Sequence, residues 1–240
     1  MPSRPATDPC ILGGLFREVG DADSVLIEEG LVKVDVGNSV RKCINDWEYG
    51  ELDAAMMHAC FAVDGTRRKL YQDNRDNNTR FTKLLRDNYS ILGPMGAPGV
   101  DLRSTRFPVR VLNPLNPKAA GGQPDIADVI YGIHRCCHGH GEALPEGFEL
   151  MPDAAGAPRV TRLTVCDGKV RLSDRIIFGL LAVAVMSPVN SLGESVPDGY
   201  HLTFGDETRM NINDWWGGAD RFEAIAVQDP TPLVTFDFGA

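Results

Sequence analysis

The sequence predicts an α+β fold: a central four-helix-type bundle with peripheral β-hairpins and a small antiparallel sheet. Three observations carry this expectation. Apolar residues recur at helical spacing through residues 40–63, 79–92 and 126–137, a period that gathers one stripe of side chains on one face. Residues 174–186 are apolar on nearly every side, as expected of a helix enclosed by others. The remaining pieces are β-rich and alternate around turn signals, the pattern of half-exposed strands.

In chain order, residues 1–38 read as an N-terminal arm and a β-hairpin. The first 20 residues hold three Pro and three Gly. Residues 24–36 then make two β-rich pieces around Glu29-Gly30. A helical core over 39–190 follows. Asn38 or Ser39 is the candidate cap of its first helical run, which carries Val40, Cys43, Ile44, Trp47, Leu52, Ala55, Met56, Ala59, Cys60 and Val63, with Gly50 as a break. Asn78 or Thr79 caps a second helix over 79–92, and Gly93-Pro94 stops it, because proline lacks an amide donor and clashes with the preceding turn. Residues 93–124 form a Pro- and Gly-rich insertion with one β-like piece, Phe107–Leu112.

A third helix begins at Asp125 with the stripe Ile126, Val129, Ile130, Ile133 and Cys137. Residues 160–172 alternate around Asp167-Gly168, a dipeptide suited to a type I′ hairpin turn. Asp174–Met186 forms the enclosed helix. Residues 191–240 read as a β-rich end with strands at 201–204, 222–227 and 233–238, and the two β-rich ends are candidates to pair with each other.

Composition narrows the function. With 24 Lys+Arg against 33 Asp+Glu, the net charge of −9 in 240 residues argues against sequence-independent coating of nucleic acid. A local phosphate pocket stays compatible with that charge. No Gly-x-x-x-x-Gly-Lys loop, Gly-x-Ser-x-Gly elbow or dinucleotide fingerprint occurs, which removes the ATPase, α/β-hydrolase and Rossmann readings. The N-terminus has no apolar signal region, and the longest apolar run, 176–185, falls short of the roughly 20 residues of a membrane span. The six cysteines are spread along the chain, which fits a cytoplasmic protein with reduced thiols. No membrane association and no cofactor are expected.

The chemistry concentrates in Tyr131–Pro145, where His134, His138 and His140 accompany Arg135, Cys136 and Cys137. Gly139, Gly141 and Pro145 place this segment at a helix end. There His140 can swing back beside Arg135. A guanidinium holds a phosphodiester in bidentate fashion, and an imidazole titrates near neutrality and moves protons. Arg135 and His140 are therefore the candidate catalytic pair for metal-independent RNA cleavage.

Arg135-Cys-Cys-His-Gly-His140 fits an Arg-x4-His pattern, and through it the chain resembles the HEPN superfamily over roughly residues 39–190. That resemblance implies a bundle of four or five helices with the motif near the end of a late helix. It also implies a homodimer that brings two Arg/His pairs into one cleft, and the activity of an endoribonuclease of a defence or toxin–antitoxin system.

Other readings of the same residues stand beside it. His134 and His138 are four apart and share a helix face, a spacing suited to a metal, with Cys137 or His140 as further ligands. No His-Glu-x-x-His or Cys-x2-Cys accompanies them. In a purely structural reading, Cys137 belongs to the core, His134 on the flank of its stripe is a satisfied buried or interface histidine, and His138 and His140 complement a helix C-terminus. Arg67, Arg68, Lys69 and Arg80 lie in a locally basic stretch and are candidate RNA contacts, or else a solvated helix face. Trp215-Trp216 can stack bases, anchor a partner or close a sheet edge. The alternative function is a non-catalytic, immunity-type module that holds a protein partner beside an apolar patch at Trp215 and Trp216.

Overall fold

The computed structural model describes residues 35–71, 76–109, 123–153, 161–205, 208–228 and 231–236. The chain divides into two units, Met1–Lys33 and Val34–Ala240, and all described residues lie in the second. Helix α1, Val36–Glu48, starts one turn earlier than the predicted caps: the Asp35 carboxylate, not Asn38 or Ser39, accepts the Asn38 N–H at 2.7 Å. Gly50 makes the expected break with φ +81°, a conformation that a side chain disfavours. Helix α2, Leu52–Leu70, then packs along α1. Val40, Cys43 and Ile44 of α1 and Ala55, Met56, Ala59, Cys60 and Val63 of α2 are buried as the spacing predicted.

Helix α3, Asn77–Asp87, is capped by Asp76, which accepts the Asn78 N–H; the expected caps Asn78 and Thr79 lie inside it. The chain bends at Asn88, and α4, Tyr89–Gly96, contains Pro94. The helix thus runs through Gly93-Pro94 rather than stopping there. In so short a helix the proline forfeits one internal bond, while Ile91, Leu92 and Met95 gain burial.

Asp125 opens the next helix with a reciprocal capping box to Asp128. Its first turn is α5, Ile126–Val129; a π-helical turn, Ile130–Arg135, follows; and α6, Cys136–His140, completes it. Hairpin β1–β2, Thr164–Cys166 with Lys169–Arg171, turns on Asp167 and Gly168 at φ 51° and 76°, both left-handed as the Asp-Gly signal requires. Helix α7, Arg175–Met186, is buried along nearly its whole length and packs on α2 and α4.

A second hairpin pairs β3, His201–Phe204, with β4, Thr208–Asn211. The strand expected at 222–227 is instead helix α8, Ala219–Ala226. Phe222, Ile225 and Ala226 suit either period, and tertiary packing decides: Phe222 is fully buried against Phe204, ring centroids 5.1 Å apart. The strand expected at 233–238 reduces, over its described residues 233–236, to one parallel bridge between Val234 and Val100. In the 93–124 stretch, Phe107 is buried and its N–H donates to the Pro124 carbonyl at 2.8 Å, while 110–122 lie outside the described residues. The predicted hairpin at 24–36 also lies outside them, except that Asp35 and Val36 open α1. Among the described residues, no helix is long and apolar enough to cross a membrane.

Candidate functional site

The helix bearing the site is anchored at its start. Arg86 on α3 grips Asp125 with two hydrogen bonds, 2.7 and 2.9 Å, and also reaches Asp128 at 2.8 Å. The π-helical turn then changes the phase of the helix, because i→i+5 bonding advances fewer degrees per residue. Its consequence is visible in the burial. His134 is fully buried, as its structural reading expected, whereas Cys137, expected in the core, is half-exposed. The helix closes at Gly141, φ +70°, where the Glu142 N–H donates to the Cys137 carbonyl at 2.8 Å.

Arg135 crosses to α2. Its Nε donates to Oδ2 of Asp64 at 3.1 Å, and the other carboxylate oxygen accepts from Nε of Arg67 at 2.5 Å. Asp64 and Arg67 are buried, Arg67 at 1% exposure, while the Arg135 side chain keeps 20%. Two guanidiniums therefore share one carboxylate, and Nη2 of Arg67 has no hydrogen-bond partner among the described residues. Burial opposes the charge on Arg135, but Asp64 and Tyr131 outweigh it and push its pKa up. The Tyr131 ring, 5.4 Å from the Arg135 Cζ, flanks the guanidinium and rests on Phe81. A side chain at Gly139 would begin 3.7 Å from Nη1 of Arg135. His140 follows it and is exposed. Arg135 ends the π-helical turn and His140 ends α6 five residues on; Gly139 lies inside the helix, and the left-handed turn comes at Gly141, after His140 rather than before it. Asp64 holds Arg135, and His140 is exposed.

Neither neighbouring thiol is primed for attack, because burial raises the pKa of both Cys136 and Cys137. His134 and His138 do come together, ring centroids 6.2 Å apart. Both ring nitrogens of His134 and Nε2 of His138 lack hydrogen-bond partners among the described residues. Burial, and then the positive potential of His138, push the pKa of His134 down to about 3. Burial also lowers His138, against the opposing pull of Asp53. Among the described residues no three His, Cys, Asp or Glu converge as a metal would need; neither Cys137 nor His140 completes the pair.

The four candidate RNA contacts separate. Arg67 is buried on Asp64, so its cation faces inward. Lys69 pairs with Glu194 and Asn190. Arg80 donates to the Tyr71 carbonyl at 3.3 Å. Arg68 alone of the four is exposed. Among the described residues these four form no continuous basic face, because the positions of α2 that face its neighbours fall within the basic run. Trp215 lies under Arg221, whose Cζ is 3.7 Å from its ring centroid, and Trp216 donates to Asn213. Asp64 was missed by sequence reasoning. An Asp three residues before an Arg within an apolar run was its available signal, the spacing of a same-face ion pair.

A family model described as Rv1289 matches residues 35–240. Similar proteins are the uncharacterised protein Rv1289 of Mycobacterium tuberculosis (strain ATCC 25618 / H37Rv) and the uncharacterised protein Mb1320 of Mycobacterium bovis. Each is 45% identical over 208 residues, covering 86% of this chain and 94% of the relative. No solved structure matches. These matches correct the HEPN resemblance. The Arg-x4-His spacing is short enough to arise outside that superfamily, and the match over 35–240 is to a different family.

Proposed function

The chain belongs to the Rv1289 family, and from that premise we propose that it binds a phosphodiester at Arg135 and His140 and cleaves RNA there without a metal. One observation carries this reading: Asp64 and Tyr131 immobilise Arg135, whose side chain keeps 20% exposure, on the same helix as exposed His140. A guanidinium held in place before the ligand arrives binds an anion with little ordering cost. The second buried cation, Arg67, adds positive potential that the single carboxylate of Asp64 does not cancel.

In the proposed reaction, neutral His140 removes the proton of the ribose 2′-OH. The oxygen attacks phosphorus, and the P–O5′ bond breaks to leave a cyclic phosphate. The 5′ oxygen takes its proton from water or from a protonated His140, and Arg135 neutralises the phosphorane charge. This activity fits a cytoplasmic setting, where thiols such as Cys43 and Cys60 stay reduced.

Cleavage of a fluorogenic RNA by the purified protein, with and without EDTA, tests the reading. Activity that survives EDTA, and falls at least a hundredfold in His140→Ala with an unchanged circular-dichroism spectrum, is the expected result. Undiminished activity in that variant, or its loss on chelation, rejects the mechanism. A second reading, a non-catalytic module for a protein partner, is supported by Leu192. It is 85% exposed, next to Ser191, against which Gly217 of the Trp215-Trp216 turn is packed. Phosphate binding without RNA turnover would favour it.

A further inference from the structure

A cavity of about 420 Å³ opens between the end of α1, the start of α7 and the β3–β4 hairpin. Neither Arg135 nor any of His134, His138 and His140 lines it. Its volume falls within the roughly 300–1,000 Å³ typical of small-molecule sites. Trp47 and Phe178 form an edge-to-face aromatic wall, centroids 4.8 Å apart at 72°, and both rings are only half-buried. Ile44, Met95 and Leu202 extend the apolar lining.

The polar groups are held in place. Buried Asp174 accepts the Trp47 indole N–H at Oδ2, 3.3 Å, and the Asp153 backbone N–H at Oδ1, 3.1 Å. The Ser173 hydroxyl donates to Oδ1 of Asp153. Among the described residues, Oδ2 of Asp153 and the whole Glu48 carboxylate have no hydrogen-bond or ion-pair partner. The lining holds one guanidinium against these three carboxylates, Arg175, whose Nε is committed to the Met95 carbonyl at 3.2 Å, and one imidazole, exposed His201. The cavity therefore joins excess negative charge to an aromatic face, a pairing that suits an organic cation. A bare metal ion fits poorly, since no three ligating side chains converge among the described residues.

We propose that this cavity binds a small primary amine with an apolar body, its ammonium on Asp153 and Glu48 and its body against Trp47 and Phe178. The site stands independently of the phosphate reading and would survive its failure. The test is an NMR titration of isotope-labelled protein with three probes of similar shape: phenethylamine, phenethyl alcohol and 3-phenylpropionate. Phenethylamine should move the Trp47 indole N–H while Trp215 and Trp216 stay put, and should bind at least about tenfold more tightly than the alcohol. The propionate should leave the Trp47 signal unmoved. Asp153→Asn should weaken the amine by about tenfold without weakening the alcohol; Glu48→Gln, a change of one exposed residue, serves if the first variant misfolds. Equal binding of amine and alcohol, shifts confined to Trp215 or Trp216, no shift with any probe at millimolar concentration, or amine affinity unchanged in the folded variant would each overturn the proposal.

Discussion

Asp64 and His134 show how individual buried polar groups shape this protein. Asp64 is enclosed with Arg67 at one oxygen and Arg135 at the other. Removing its charge leaves Arg67 buried without a counterion, the costly half of a buried pair. Asp64→Asn should lower unfolding free energy by about 3–5 kcal/mol in urea melts, and adding Arg67→Met should recover much of that loss. His134 adds a pH dependence. Its folded pKa, about 3, lies below the ordinary value of 6.5, so below pH 6.5 the unfolded chain binds a proton that the folded chain refuses. The stability this group contributes is complete above pH 6.5 and is lost as pH falls toward 3, at about 1.4 kcal/mol per pH unit. Urea melts at pH 7 and pH 5 should therefore differ by roughly 2 kcal/mol from this residue, and His134→Phe should flatten the difference.

Among the elements, the α4–α7 contact depends on paired glycines. A Cβ on Gly179 would lie 2.9 Å from the Gly96 Cα and 2.9 Å from a Leu92 methyl, and one on Gly96 would meet the Gly179 Cα at 3.2 Å. The helices approach closely enough that neither position has room for a methyl. Gly179→Ala gains helix propensity but overpacks this seam, and overpacking dominates at about 1–3 kcal/mol. A lower Tm in thermal circular dichroism, by about 2–4 °C for each kcal/mol, is expected. The π-helical turn is the other decisive element. It brings His134 inward and leaves Arg135 reaching Asp64 on α2.

At the scale of the whole unit, residues distant in sequence hold the start of α1. Glu194 accepts the Gly37 N–H at 2.6 Å with one oxygen and the Lys69 ammonium with the other. The Ser195 carbonyl lies where a Cβ of Gly37 would stand, so this glycine is required by a close approach. Nearby, Asn190 donates to the Thr66 hydroxyl and the Ala184 carbonyl, both at 2.8 Å. Glu194→Ala removes the shared acceptor of α1 and α2. It should cost about 2–3 kcal/mol, seen in hydrogen exchange as faster opening of the first turn of α1 than of α7.

Local pattern alone determined several things here: the α1–α2 break at Gly50, the capping of the helix at Asp125, the Asp167-Gly168 hairpin and the enclosed helix 175–186. Each rests on a backbone or burial preference that operates over a few neighbouring residues. The end of the site helix near Gly141 was legible for the same reason. Tertiary structure decided the rest. Phe222 entered a helix because Phe204 offered it a packing partner, and Pro94 stayed in a helix because its neighbours were buried. Arg67 and Lys69 turned from a predicted basic surface into internal ion pairs, since Asp64 and Glu194 lay within reach. Charge in a sequence shows neither its depth nor its counterion, and the energy of an ion depends on both.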